Sequence, residues 1–261
     1  MGEEVFFCPV IRSKQEKSSQ LRIWKVKKGC LMEKSKKLVI VGAGEFAEIA
    51  YEYFTYDSEY EVAAFAVEAG FRTQTRLFDK PVIDLDKIGA LYPVDEFETF
   101  VAVTYTQLNR VRKRLYHYCK RRGYRCASYI SSHAFVWQNA EIGENTFIFD
   151  GDIIQYHVKI GNCVVLWSGT HVGHRSVIED GCWLAPSVAV SGFCHIGNGS
   201  FIGVNASIGD HVSLGKDTVL GAGAVAVKSL TGSGGVYVGS PARRLNNRTS
   251  YQQFGVEPGE I

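Results

Sequence analysis

Five histidines, His157, His171, His174, His195 and His211, fall in a part of this 261-residue chain where aliphatic residues recur every six positions. A neutral imidazole near pH 7 is the side chain best suited to take a proton from an attacking nucleophile. Such histidines can also hold zinc, but none of these forms the H-x4-H pair that a shared zinc site on a repeat of this kind uses. His174 lies in VGHRSV, two residues after the aliphatic Val172, so it projects outward at a turn or strand edge; His171, three residues earlier, is the second candidate. A different chemistry is written near the front, in VGAGEFAE. Gly42 and Gly44 have G-x-G spacing, with Ala47 in the third small position. Glycines there let a strand turn into a helix whose N-terminal N–H groups face a phosphate. Glu68 follows about 24 residues later, where such a unit holds a sugar hydroxyl. The same glycines would equally serve a tight strand–helix turn with no ligand.

Two scaffolds are needed to position these groups. Residues 37–41 (KLVIV) read as a buried strand, and the following segment carries Phe46, Ile49, Ala50 and Phe54 at helical spacing. EVAAFAV gives a second strand ending at Glu68; Pro81–Ile83 and then a third short strand, TFVAVTY (99–105), follow, and a basic helix over 107–122 comes next. The order β-α-β-β-α predicts a small Rossmann-like α/β domain. The basic helix reads as a solvated face, with Asn109 or Arg110 near its start as a possible phosphate contact. Only one βαβ-like half is present, which argues against a dehydrogenase.

From Val136 to Leu220 an aliphatic residue recurs every six positions, fifteen times without an insertion. Hexads of this kind mark a parallel β-helix, in which three hexads make one triangular coil and the aliphatic side chains stack inside. The run predicts five coils, a prism roughly 24 Å long at a strand spacing of about 4.8 Å. Flat faces and open strand ends favour self-association, so a homotrimer with sites in its clefts is expected. The predicted organisation is an extension over 1–36, an α/β domain over 37–131, a β-helix over 132–245 and a polar tail over 246–261.

Composition excludes several classes. Net charge is +2, from 29 basic and 27 acidic residues, which gives no concentrated basic face for nucleic acid. No apolar run reaches the roughly 18–20 residues that span a bilayer. The seven cysteines are odd in number and lack C-x-x-C spacing, so they read as reduced, structural thiols, in keeping with a cytoplasmic protein.

Taken together, residues 36–245 resemble the sugar acyltransferases that include the bacterial UDP-4-amino-sugar and perosamine N-acetyltransferases. The matching pieces are VIVGAGEFAE, KPVID, VAVTYTQLNRVRKRL, GTHVGHRSVIEDG, VLGAGAVAVKSL and VYVGSPARRL, in that order. The resemblance implies left-handed coils, a homotrimer, a front domain that binds a nucleotide-linked sugar through Gly42, Gly44, Glu45 and Glu68, and a prism that binds acetyl-CoA. It implies His174 as the general base of a direct transfer, without metal, and Trp183, Gly192, Val204 and Ala222 as acyl-CoA contacts. Lys228 or Arg243 would face the CoA phosphates. The product would enter surface polysaccharide or glycan assembly. Two departures stand out. Arg175 follows His174 where the family has an acid, leaving Glu179, Asp180 or a neighbouring subunit to orient the imidazole. Glu45-Phe46 replaces a Gly-His pair. A hydroxyl acceptor on the same fold, and a trimer that binds nucleotide-sugar without turnover, are the competing readings; the second draws on Arg175.

Overall fold

A computed structural model describes residues 33–259. The expected extension falls outside these residues as far as position 32. The front domain begins with β1 (Lys36–Val41) and α1 (Glu45–Tyr56), continues through β2 (Tyr60–Val67), β3 (Arg76–Leu77), β4 (Lys80–Asp84), α2 (Ile88–Leu91) and β5 (Phe97–Val101), and ends with α3 (Arg110–Arg121). Its sheet has the order β3-β4-β2-β1-β5, parallel except for the β3–β4 hairpin. The central strand is buried along Leu38–Val41, as its β-branched run requires. Lys34 donates to the carbonyls of Phe54, Thr55 and Ser58, so a lysine from outside α1 closes a C-terminus that has no basic residue in its own last turn.

The rest of the chain is a parallel β-helix of two-residue strands, β6 (Tyr129–Ile130) to β22 (Val225–Ala226). Each strand pairs with the strand 18 residues on, as in Ile154 with Val172 and Val172 with Val190. This register makes three flat faces and fits a left-handed β-helix. The hexad aliphatics stack in one continuous core from Ile148 to Ala226. Each such side chain contributes about 1.5–3 kcal/mol by leaving water. The prism starts at Tyr129, not at residue 132, because Tyr129–Ile130 pairs with Phe147–Ile148. It also runs past the expected boundary at 245. Strand β23 (Gly235–Val238) pairs with β24 (Arg243–Thr249), and α4 (Ser250–Phe254) folds back with a Thr249–Gln252 capping box, so 246–254 closes the fold.

The residue before each aliphatic points outward, and each face has its own character. On the docking face, Phe147, Val165, Trp183 and Val219 are buried. Phe46, Phe54 and Phe100 of the front domain pack on its lower part, and Leu108, Leu245 and Phe254 on its upper part. The open face carries Phe135, Ile153, His171, Ala189, Ser207 and Val225. The charged face carries Glu141, Lys159, Val177, His195 and Ser213.

Arg112 joins the two parts. It is wholly buried on α3, and its guanidinium donates to the carbonyls of Cys163 and Cys182 on the prism and of Val103 and Thr104 in the front domain. Its charge lies 5.2 Å from the Trp183 ring centroid. Burial lowers its pKa to about 10. The cysteines 119, 126, 163, 182 and 194 are free and buried, and burial pushes the thiols of Cys119 and Cys126 up to about 11 and 12. Among the described residues no helix is long and apolar enough to cross a membrane.

Two outcomes are expected here. Arg112→Lys keeps the charge but cannot reach all four carbonyls; it should cost on the order of 2–3 kcal/mol of stability, measured by urea unfolding. Asp152 is buried in a turn, where it accepts from Thr170 N–H and Phe149 N–H, and desolvation raises its pKa to about 8. A folded pKa above the ordinary value of about 3.9 means stability is complete below that value and is lost as pH rises through 8. The melting temperature should therefore fall from pH 5 to pH 8, and Asp152→Asn should flatten that slope.

Candidate active site

The turn between the open and charged faces is a corner in which residues 18 apart sit one above another. Tyr156, His174, Gly192 and Asp210 form one column of it, and His157, Arg175, Phe193 and His211 the next. All four residues of the second column have left-handed φ, between 54° and 59°. This geometry lets the chain turn sharply and throws the preceding side chain out from the prism.

His174 is exposed on this corner. Its backbone N–H donates to Gln155 Oε1 at 3.0 Å, while neither ring nitrogen is hydrogen-bonded to a described residue. The imidazole lies over Gly192. A Cβ built there would stand 2.6 Å from His174 Cε1 and 2.9 Å from Nε2, so only glycine leaves the ring in place. Phe193 meets the ring edge-on at 5.1 Å and stacks on His211 at 4.7 Å. His174 is thus held by a glycine floor and an aromatic wall. His171, the second candidate, lies half-buried on the open face three residues back. His195 is bonded to Glu179 at 2.6 Å, and His211 to Asp210 at 2.6 Å.

The acids expected to orient His174 within the chain do not do so. Glu179 is taken by His195 and by the Asn198 N–H, and Asp180 accepts from Asn162 N–H at 2.7 Å. Both lie at the far edge of the charged face. A groove of about 560 Å³ runs there, lined by Lys159, Asn162, Val177, Glu179 and Asp180; apart from these two acids it contains none of the expected site residues.

The expected acyl-CoA contacts divide. Val204 and Ala222 are exposed and sit one coil apart on the corner between the docking and open faces, where Gly223 N–H donates to Val204 O. Within one chain the open face separates them from His174 and Gly192. Trp183 lies elsewhere. It is 3% exposed, beneath Arg112 and against Phe46 and Tyr105, so it packs the front domain onto the prism and offers no surface to a ligand in this structure. Lys228 and Arg243 are exposed.

In the front domain Gly42 has φ +131°, and a Cβ there would stand 2.5 Å from Ala102 O. Gly44 caps α1 with open space around it, and Glu45 is exposed in the first turn. The helix start is therefore accessible to a ligand, with an acidic side chain beside it. Glu68 is not free: Arg114 donates to both of its carboxylate oxygens at 2.8 Å. Asn109 and Arg110 also face away from this turn. Asn109 donates to Gly199 O, and Arg110 pairs with Asp217 at 3.4 Å, tying α3 to the prism. Phe46 fills the centre of the aromatic cluster with Phe100, Phe147, Trp167 and Trp183, which explains an apolar residue at that position. Among the described residues no group of His, Cys, Asp or Glu is arranged to hold a metal ion.

Three side chains at the corner escaped the sequence reading: Tyr156, Gln155 and Phe193. Counting 18 back from His174 and 18 on from Arg175 finds Tyr156 and Phe193, whereas Gln155, 19 residues before His174, is placed by its side-chain hydrogen bond to the His174 N–H.

Comparison with known proteins agrees with this architecture. Residues 193–226 match the bacterial transferase hexapeptide family, described as six repeats. Over 117 residues the chain is 29% identical to UDP-3-O-acylglucosamine N-acyltransferase 1 of Sulfurimonas denitrificans, covering 43% of this chain and 35% of that enzyme. The match thus spans about a third of that relative's length. Perosamine N-acetyltransferase of Caulobacter crescentus, solved with CoA and GDP-perosamine, aligns with TM-score 0.72 and 26% identity over 80% of this chain and 97% of that one. WeeI of Acinetobacter baumannii aligns with TM-score 0.68 and 26% identity over 81% and 100%. The acetyltransferase domain of PglB from Neisseria gonorrhoeae, solved with acetyl coenzyme A, aligns with TM-score 0.55 and 25% identity over 80% and 99%.

Gly192→Ala should move the His174 imidazole without unfolding the chain, because the backbone at 192 suits any residue. The shift should appear in the His174 side-chain resonances, with the melting temperature held within a few degrees. Unchanged resonances would mean that the ring does not rest on Gly192.

Proposed function

Taking the chain as a hexapeptide-repeat transferase related to sugar acyltransferases, we propose that it moves an acyl group, acetyl in the simplest case, from acyl-CoA to the amine of a nucleotide-linked sugar. The observation that carries this reading is the exposed His174 imidazole, standing on Gly192 with neither ring nitrogen hydrogen-bonded to a described residue. It is supported by the solved relatives that hold CoA together with GDP-perosamine, one of them a variant in which a single histidine is replaced.

In the proposed reaction the sugar amine attacks the thioester carbonyl. A C–N bond forms, the C–S bond breaks, and the proton lost by the amine passes to His174 and then to the departing CoA thiolate. General-base help of this kind is worth about 10²–10⁴ in rate. The nucleotide end of the acceptor is proposed to lie at the start of α1, against the N–H groups after Gly44 and beside Glu45. Glu68 joins it only if Arg114 lets go. Val204 and Ala222 are proposed to line the acyl-CoA path. They reach His174 if a second copy of the chain packs its docking–open corner against the open–charged corner of the first, and repetition of that contact closes a trimer. The buried, reduced thiols suit a cytoplasmic site of action.

The test is CoA release from acetyl-CoA, followed by chromatography, with UDP-, dTDP- and GDP-linked 4-amino-4,6-dideoxy sugars. Turnover with one of them should drop at least 100-fold in His174→Ala. Turnover only with hydroxyl acceptors would make the protein an O-acyltransferase. Turnover that survives the substitution would move the base to His171. Nucleotide-sugar binding without any turnover would point to a non-catalytic trimer.

A further inference from the structure

Arg175 occupies the place beside His174 where a carboxylate would orient an imidazole, and its surroundings suit a different task. Its φ is +58°, and its backbone N–H donates to Tyr156 O at 2.9 Å, so the side chain leaves the corner in a fixed direction. The guanidinium carbon lies 5.5 Å from the Tyr156 ring centroid, one coil below, and 6.0 Å from that of Phe193, one coil above. Yet the guanidinium forms no hydrogen bond and no ion pair with any described residue. Asp210, the acid of the same corner, is held by His211 Nδ1 at 2.6 Å. The corner thus presents an arginine braced by two rings, adjacent to the proposed base, with its N–H edge unspent.

A ring-braced guanidinium loses little freedom when it binds, and its planar fork matches a carboxylate in bidentate fashion. The anion it meets must lie near the reacting atoms, because the acceptor amine has to come within about 3 Å of a His174 ring nitrogen. The phosphates of CoA are remote from the thioester along the pantetheine arm. The acceptor's diphosphate has a place at the start of α1 in the reading above. What remains is a negative group on the sugar itself or at the far end of the acyl chain.

We propose that Arg175 recognises a carboxylate borne by one of the two substrates close to the transferred bond: an acidic amino sugar, or the mono-thioester of a dicarboxylic acid. This inference rests on the acyltransferase reading above, with His174 as base, and narrows its substrate class. Arg175 would then set specificity and leave the base itself unoriented by any acid of its own chain.

The experiment is a two-by-two panel. The donors are acetyl-CoA and succinyl-CoA. The acceptors are a nucleotide-linked amino sugar and its counterpart with a carboxylate at C6. kcat/KM is measured for the wild type, Arg175→Gln, Arg175→Glu and His174→Ala, and the oligomeric state of each is checked by light scattering. The expected result is at least a tenfold preference for one pair with a carboxylate, abolished in Arg175→Gln and further suppressed in Arg175→Glu, with the neutral pair unchanged. The arm that shows the preference tells whether sugar or acyl group carries the charge. A wild type that depends on His174 but is indifferent to the carboxylate would overturn the inference and leave the acyltransferase reading standing. Equal losses for all pairs in Arg175→Gln would assign the guanidinium to the diphosphate or the oxyanion and also overturn it. A variant that falls apart into monomers would make Arg175 an interface residue instead. With no turnover on any pair the acyltransferase reading fails; equal calorimetric affinities for charged and neutral ligands would then sink this inference too.

Discussion

A coil of 18 residues is the constraint from which the rest follows. Once Ile154 must lie over Val136 and under Val172, every outward and corner position inherits a partner one strand spacing above and one below. The core is then a column of like residues, and each surface feature is a column too. The docking face is aromatic because Phe147, Trp183 and Phe201 fall in one outward column, with Val165 between the first two and Val219 beyond the last. The site corner is built of rings for the same reason. An insertion of even one residue would shift every later side chain from inside to outside.

The front domain is held by two different interactions. Ring packing around Phe46 and Phe54 buries apolar surface against the prism, through edge-on contacts with Phe147 and Trp183. Arg112 supplies direction. A buried cation with carbonyl partners on both sides can sit in only one place, so α3 cannot slide along the prism. The C-terminal segment completes the clasp, with Tyr251 bonded to Asp217 and Arg110 lying 5.7 Å from its ring centroid. In the sequence this is a polar tail without a period, open to capping the last coil or to moving freely, and it caps because β24 draws its order from pairing with β23.

What the sequence made legible was whatever repeats. The hexads show the prism and the outward placement of His174, although the coils exceed the expected five, since the open face alone stacks six strands; the strand–turn–helix pattern shows β1, α1, β2, β5 and α3 but neither β3 nor α2. What stayed hidden depended on contacts between distant parts. Trp183 is an outward residue by period, and only the docked front domain makes it buried. Glu68 has the right distance from the glycine turn, but Arg114, 46 residues later, occupies it. Glu179 and Asp180 are near His174 in the chain, yet one strand carries them to the other edge of the charged face.

The left-handed turns separate the three corners of the prism. On the other two corners several of these positions are glycine, including Gly151, Gly169, Gly181, Gly199 and Gly223, and the turn is adopted without strain. On the site corner they are His157, Arg175, Phe193 and His211, each forced into a conformation that disfavours any side chain by about 1–2 kcal/mol. A drift toward glycine at any of the four would make the chain more durable and strip the corner of its rings and charge. On the other two corners the non-glycine positions include Asn145, Ser187 and Asn205, so the four bulky side chains here cost stability that the turn itself does not require.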